Sequence, residues 1–102
     1  PLSAKAIKQW STPMAVIMTS EIAGQTLQGY DGLFTAVSSA LRSAQGFLVH
    51  ASHPIDGGWR VVEIWESRED AARFFATTIA PQLPEGIHPK LTFAPLHDVL
   101  QP

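Results

Sequence analysis

Hydrophobic side chains recur with two different periods in the first half of the chain. In residues 13–21, Met14, Val16 and Met18 stand at every second position. Ala15 and Ile17 stand at the positions between them. A two-residue period predicts a β-strand, and apolar residues on both of its sides predict that both faces are covered. From Thr26 to Gly46 the period lengthens to three or four residues, which predicts an amphipathic helix capped by Thr26 and stopped by Gly46. The apolar stripe of this helix consists of Leu27, Tyr30, Phe34, Val37 and Leu41.

A β-hairpin is predicted in the middle of the chain. Two strand-like runs, residues 47–53 and 59–66, flank the dipeptide Asp56-Gly57, and a turn centred on that dipeptide determines which residues face each other. One face of the hairpin is then largely aliphatic, while the other carries a histidine, a glutamate and two tryptophans. On the face with the histidine and the glutamate, the predicted pairs are Leu48 with Trp65, His50 with Glu63 and Ser52 with Val61. On the aliphatic face they are Val49 with Ile64, Ala51 with Val62 and His53 with Arg60.

A second helix and a last strand complete the pattern. Ser67 and Asp70 form a variant of the capping box, which predicts that a helix begins here and continues until Pro81 stops it. Residues 90–100 predict the last strand. Because Pro95 cannot donate a ladder hydrogen bond, this strand is expected at a sheet edge or with a bulge.

The order β-α-β-β-α-β predicts a ferredoxin-like α+β fold. Right-handed crossovers place both helices on one face of a four-stranded antiparallel sheet. The opposite face has no helix to cover it, although the strands carry apolar residues there as well. A second copy of the sheet is the simplest cover, so the pattern predicts a homodimer through the helix-free face.

Length and composition agree with one small globular domain. The chain has 102 residues, of which 45% are hydrophobic and 16% charged, and its net charge is -2. We expect an N-terminal arm over residues 1–11 and a single domain over residues 12–102. Scattered basic residues argue against nucleic-acid binding, and the lack of a long apolar run argues against a membrane span or signal peptide. A cytoplasmic location is therefore expected.

The predicted pair of His50 and Glu63 is the strongest candidate for chemistry. A carboxylate beside an imidazole can accept the proton of one ring nitrogen and make the other nitrogen a better base. With Trp59 and Trp65 on the same face, the arrangement is typical of a ligand pocket. An ordinary cross-strand pair at a sheet end is the alternative. His53 has metal-like spacing from His50 but points to the opposite face of a strand, so no metal site is predicted.

The motif Glu63-Ile64-Trp65-Glu66-Ser67 lies between the hairpin and the aromatic second helix. In this setting it resembles the antibiotic-biosynthesis-monooxygenase-like family of dimeric α+β barrels. The resemblance covers about residues 13–100 in element order and spacing. It implies that two sheets pack face to face with the helices outside.

The family resemblance also implies a cavity between sheet and helices. Tyr30, Phe34 and Phe74 or Phe75 would form its helix side, and Trp65 and Glu63 would point into it. Many family members have a histidine on the second helix, where Phe74, Phe75 and Ala76 stand here. This departure disfavours the haem-degrading activity found in part of the family.

The leading hypothesis from sequence and resemblance is a homodimeric oxidoreductase. It would be a monooxygenase of a small aromatic, quinol or polyketide-like substrate that needs no cofactor. His50 is the expected base, Glu63 its orienting partner, and Trp65, Trp59, Tyr30, Phe34 and Phe74 line the substrate pocket. The alternatives are a non-catalytic, stress-related or ligand-binding dimer, and a polyketide cyclase or lyase that uses the same base without oxygen.

Overall fold

The computed structural model describes residues 15–102. The predicted N-terminal arm and Met14 lie outside the described residues. Two α-helices and four strands follow the expected order: β1 is Val16–Ala23, α1 Leu27–Arg42, β2 Phe47–Ile55, β3 Gly58–Trp65, α2 Arg68–Phe74 and β4 Lys90–Pro95. None of the helices in residues 15–102 has the length and hydrophobicity needed to cross a membrane. The cytoplasmic location stays a prediction.

The four strands form one antiparallel sheet in the order β2-β3-β1-β4. The ferredoxin-like α+β fold predicted from the sequence is confirmed. Strand β4 lies at an edge and ends at Pro95, as the missing donor of that proline requires. Alternate residues of β3 are buried beneath the helices, and the residues between them are half-exposed on the other face.

Two clusters of buried side chains fill the space between the sheet and the helices. The larger one joins Trp65 of β3 to Leu41 of α1 and Phe74 of α2. The smaller one consists of Ile22, Trp59 and Val61, with Tyr30 and Ile87 packed against it. Trp59 and Trp65 thus lie on the side that the family resemblance implied. Leu41 belongs to the predicted apolar stripe of α1, whereas Leu27, also in that stripe, is 55% exposed.

The helix termini follow the predicted caps in part. The Thr26 hydroxyl accepts a hydrogen bond from the Gly29 N–H, and the Ser67 hydroxyl accepts one from the Asp70 N–H. Helix α1, however, ends at Arg42 and not at Gly46. Gly46 has a φ of +82°, and a Cβ there would collide with the Asp70 carboxylate. Gly46 therefore lets the loop pass close to α2, and it does not cap α1 directly.

The second helical segment also changes character before Pro81. After α2 the chain forms a π-helical turn, Phe75–Ile79, and then a 3-10 turn, Ala80–Gln82, with Pro81 inside it. The α-helix is thus shorter than the spacing predicted. The π-helical turn is wider than an α-helical turn and the 3-10 turn is tighter, so the side chains of Phe75 and Ile79 are rotated relative to a regular helix. Both residues line the cavity described below.

The hairpin register agrees with the prediction at every pair except the one farthest from the turn. His50 lies opposite Glu63 as predicted, but Phe47, not Leu48, is paired with Trp65. The predicted pairing of Leu48 with Trp65 is wrong because the register shifts between Phe47 and Val49, as in a β-bulge. The shift brings the Phe47 ring edge-on to the Trp65 indole, with 5.6 Å between the ring centroids.

Candidate functional site

A chain of hydrogen bonds runs through the helix-covered face of the sheet. The Tyr30 hydroxyl lies 2.6 Å from His50 Nε2, and His50 Nδ1 lies 2.7 Å from Glu63 Oε2. The other Glu63 oxygen, Oε1, accepts a hydrogen bond of 2.9 Å from the Trp65 indole N–H. Four side chains from one helix and two strands are therefore joined through a single buried carboxylate.

The backbone explains why these groups meet. Strands β2 and β3 place His50 and Glu63 directly opposite each other, and the two-residue period of β3 puts Trp65 on the same side as Glu63. Tyr30 lies in the first turns of α1, on the stripe that packs against the sheet. The sequence predicted the pairing of His50 with Glu63, but it assigned Tyr30 only to the pocket wall.

The hydrogen-bond partners indicate which ring nitrogen of His50 donates to Glu63. An ionised Glu63 can only accept, so Nδ1 of His50 must carry a proton and donate it. In a neutral imidazole Nε2 is then an acceptor, and the Tyr30 hydroxyl donates to it. Glu63 is only 7% exposed, and each of its oxygens has a hydrogen-bond donor, as a buried carboxylate requires.

Tyr30 is held among other aromatic side chains. Its ring is stacked on Trp59 with 5.1 Å between centroids and on Phe34 with 5.7 Å, and Phe34 is in turn stacked on the His50 imidazole at 5.0 Å. Burial raises the pKa of the Tyr30 hydroxyl, the nearby Ser52 side chain lowers it, and the charges of Glu63 and Asp31 raise it further. The net effect favours the neutral, proton-donating phenol.

A small cavity lies between this hydrogen-bond chain and the helices. Its volume is about 60 Å³, enough for a few water molecules and far below the roughly 300 Å³ at the lower end of ligand pockets. Of the site residues predicted from the sequence, Tyr30, Phe34, His50, Glu63 and Phe74 line it, while Trp59 and Trp65 lie outside the lining.

Aliphatic side chains make up much of the remaining lining, and the sequence analysis did not assign them to the site. They come from both helical segments and from the sheet: Met18, Ile22, Leu33, Val37, Leu41, Val61, Ile79 and Leu83. Helical spacing marks Val37 and Leu41 as inward-facing, but no sequence signal separates a cavity wall from an ordinary core position.

A second, solvent-open depression lies beside the cavity. It has a volume of about 420 Å³ and is formed mainly by the loop between the 3-10 turn and β4. Phe75, Leu83 and Pro89 line both spaces. The cavity is therefore separated from this depression by only a few side chains.

The remaining histidines lie away from the site. His53 is exposed, and its Nε2 lies 3.4 Å from Arg60 on the opposite face of the sheet, as predicted from strand alternation. His88 and His97 are exposed beyond the core. Within residues 15–102, no group of three or more potential metal-ligating side chains is close enough to hold an ion.

Comparison with solved structures shows where this fold occurs. SnoaB, a cofactor-independent oxygenase from Streptomyces nogalater, superposes with a TM-score of 0.65 at 13% identity, covering 85% of this chain and 97% of SnoaB. The heme-degrader MhuD from Mycobacterium tuberculosis, solved with two hemes in its active site, gives a TM-score of 0.59 at 18% identity, covering 84% of this chain and 99% of MhuD. A conserved protein from Methanosarcina mazei Go1 gives 0.54 at 8% identity, covering 78% and 93%.

Neither a protein-family model nor a curated protein sequence matches the chain. The structural likenesses confirm the fold that the resemblance implied, and at these identities they show the fold alone. A haem group does not fit the site described above. The cavity of about 60 Å³ is far too small for a tetrapyrrole, and both nitrogens of its one lining histidine, His50, are already hydrogen-bonded.

Proposed function

We propose that this protein is a small monooxygenase-like enzyme that acts on an aromatic, quinol or polyketide-like substrate without a cofactor. The observation that carries the proposal is the hydrogen-bonded sequence Tyr30, His50, Glu63 and Trp65 beside a largely apolar cavity. Such a buried base with an orienting carboxylate has little structural value that an apolar pair could not supply. It has a clear chemical use in proton transfer.

The proposed reaction begins with removal of an acidic proton from the substrate. His50 accepts the proton at Nε2, while Glu63 holds Nδ1–H and stabilises the imidazolium that forms. The electron-rich anion then reduces O₂. At a ring CH₂ group, both hydrogens leave with one oxygen atom as water, and the other oxygen atom remains as a carbonyl. No further reductant is needed, because the substrate carbon supplies the electrons.

The cavity walls favour this chemistry in two ways. Phe34 and Phe74 offer flat apolar surfaces against which a ring can stack. Exclusion of water strengthens the electrostatic effect of Glu63 on the imidazolium and protects a reactive anion from protonation by solvent. The fold shared with SnoaB, described as a cofactor-independent oxygenase, supports the assignment by analogy.

The experiment is oxygen consumption with anthrone-type substrates by the wild type and by His50→Ala. We expect turnover to fall about 100-fold or more in this variant, the usual contribution of a general base. His53→Ala is the matched control, because His53 is exposed on the other face of the same strand, and it should retain full activity. Unchanged activity of a folded His50→Ala protein would exclude the proposed role.

The small cavity favours a second candidate function, the binding of a small ligand without catalysis. A space of about 60 Å³ admits a ring only after side chains move. Ligand binding without consumption of either oxygen or ligand would select this candidate. Conversion of substrate in the absence of oxygen would instead select the cyclase or lyase alternative, which uses the same base.

We further propose that the helix-free face forms a homodimer. Ile17, Val62 and Ile64 lie on this face at neighbouring positions of β1 and β3, and each is only partly covered within one chain. Val62→Lys should therefore lower the mass in solution from twice 11.1 kDa to 11.1 kDa, measured by light scattering. Ala72→Lys, on the exposed side of α2, is the control and should leave the dimer intact. A wild type of 11.1 kDa at all concentrations would exclude the dimer.

A further inference from the structure

The acceptor nitrogen of the candidate base is occupied by the protein's own phenol. Tyr30 Oη lies 2.6 Å from His50 Nε2, the nitrogen that a substrate would need. We propose that the Tyr30 side chain stands in the place of the ligand, and that the site takes a phenol or enol whose hydroxyl replaces that of Tyr30 on His50 Nε2. This inference rests on the proposed function only in taking the same cavity as the working site.

The hydrogen-bond chain of His50, Glu63 and Trp65 selects a ligand that donates a hydrogen bond. Glu63 already accepts from His50 and from Trp65, and His50 Nδ1 is committed to Glu63. Once Tyr30 leaves, Nε2 of a neutral His50 becomes an acceptor without a partner. A ligand O–H satisfies it, whereas a ketone, an ether or a carboxylate cannot donate and would leave it unpaired.

The surroundings of Tyr30 also select a flat ring. The planes of the Trp59 and Phe34 rings lie within 19° and 14° of the Tyr30 ring plane. A planar aromatic ligand can use the same stacking contacts. An aliphatic alcohol can replace the hydrogen bond but not the stacking, which makes phenols and ring enols the preferred class.

The size of the cavity requires that Tyr30 moves. The space of about 60 Å³ holds no aromatic ring while Tyr30 is in place. The departing side chain is itself the size of p-cresol, so its movement opens room for one such ring. This explains how a site with base-like geometry can lack room for an aromatic ligand while Tyr30 is in place.

The position of Tyr30 makes this movement accessible. Tyr30 is half-buried, near the solvent-exposed start of α1, and its neighbour on the helix surface, Phe34, is 36% exposed. Gly29 and Gly32 flank Tyr30, and each weakens a helix by about 1 kcal/mol relative to alanine. The first turns of α1 can therefore adjust more easily than the rest of the helix, and the side chain can leave toward solvent.

Competition with Tyr30 determines the expected affinities. A ligand that binds only the open form has its affinity reduced by the fraction of molecules that are open. Truncating Tyr30 removes this competition. Tyr30→Ala should therefore bind p-cresol at least about tenfold more tightly than the wild type does, and at least about tenfold more tightly than it binds toluene, which lacks the hydroxyl.

The test is calorimetric titration of wild type, Tyr30→Ala and the double variant Tyr30→Ala/His50→Ala with p-cresol and toluene. The double variant should bind the two probes equally, because the acceptor is gone. Equal binding of both probes by Tyr30→Ala, or binding of neither, would overturn the proposal. If Tyr30→Ala does not fold, Tyr30→Leu replaces it, since leucine keeps apolar contact but has no hydroxyl.

A second measurement uses the wild type alone. Tyr30 is the only tyrosine of the chain, so its ring gives isolated NMR signals. Saturating p-cresol should shift these signals away from the stacked environment, whereas unchanged tyrosine signals in the p-cresol-bound wild type would contradict displacement. If p-cresol displaces Tyr30 but no oxygen is consumed with the anthrone-type substrates, the oxygenase proposal alone is refuted. If oxygen is consumed but Tyr30→Ala does not bind p-cresol, the displacement proposal alone is refuted.

Discussion

On each face of the sheet a glutamate is paired with a basic side chain of a neighbouring strand, and the two pairs differ in almost every respect. On the helix-covered face, His50 and Glu63 have side chains that are 14% and 9% exposed. On the helix-free face, Arg60 and Glu21 have side chains that are 35% and 46% exposed, and their closest atoms are also 2.7 Å apart. Strand β3 contributes to both pairs through residues only three positions apart.

The difference teaches that equal distances do not imply equal roles. The exposed pair is screened by water and by salt, and pairs of this kind contribute less than about 1 kcal/mol to stability. The buried pair has lost its water, so each polar atom needs a protein partner, and removal of one partner leaves another unpaired. Stability and chemistry therefore depend on Glu63 far more than on Glu21.

The largest effect that can separate the two faces is expected at Trp65. This side chain is 1% exposed and holds one oxygen of Glu63. Trp65→Ala should lower the free energy of unfolding by about 3–5 kcal/mol, through a cavity and an unpaired carboxylate oxygen. Ile64→Val, the next residue on the opposite face, should cost about 1 kcal/mol or less. Urea unfolding measures both, and comparable losses would contradict the assignment of the core to the helix side.

A smaller effect is expected when each carboxylate is neutralised in turn. Glu63→Gln places an amide N–H₂ or an amide oxygen opposite His50 Nδ1, and neither supplies the negative charge of the carboxylate. We expect a loss of about 1–3 kcal/mol for Glu63→Gln and less than about 1 kcal/mol for Glu21→Gln. High salt should reduce the effect of Glu21→Gln and leave that of Glu63→Gln nearly unchanged. Equal effects in urea unfolding would mean that the buried pair is solvated.

The smallest effect concerns pH. Burial raises the pKa of Tyr30 above its ordinary value of 10.0, so in alkaline solution the folded chain keeps a proton that the unfolded chain has lost. This contribution to stability is fully present below pH 10.0 and is lost as the pH rises through the folded-state pKa. The stability of Tyr30→Phe should therefore fall less steeply than that of the wild type as the pH rises above 10.0. Tyrosinate absorbance reports Tyr30 alone, and a titration midpoint at or below pH 10.0 in the folded wild type would contradict the raised pKa.

Much of the fold was predictable because short-range patterns determine it. Two-residue and four-residue periods located the strands and α1, Thr26 and Ser67 marked helix starts, and Asp56-Gly57 set the hairpin register. The exceptions lie where tertiary contacts override local preference. The register shift after Phe47 brings its ring edge-on to Trp65.

The candidate site was predictable in part. The pairing of His50 with Glu63 followed from strand register, a local property of a hairpin. The contact of Tyr30 with His50 joins residues 20 positions apart on different elements, and helical spacing alone could place Tyr30 only on the inner stripe. The homodimer, the oxygenase activity and the catalytic roles of His50 and Glu63 stay predictions that the experiments above can test.

By itself, the sequence determined which side chains share a face, because alternation along a strand and the pitch of a helix are properties of the local backbone. It therefore determined that His50, Glu63 and Trp65 share one face of the hairpin, whereas the family resemblance implied that this face lies under the helices. Only the tertiary structure decided that Tyr30 reaches His50 and that the cavity measures about 60 Å³. Both depend on the distance and angle at which α1 packs on the sheet, and these result from many small contacts summed over the whole core.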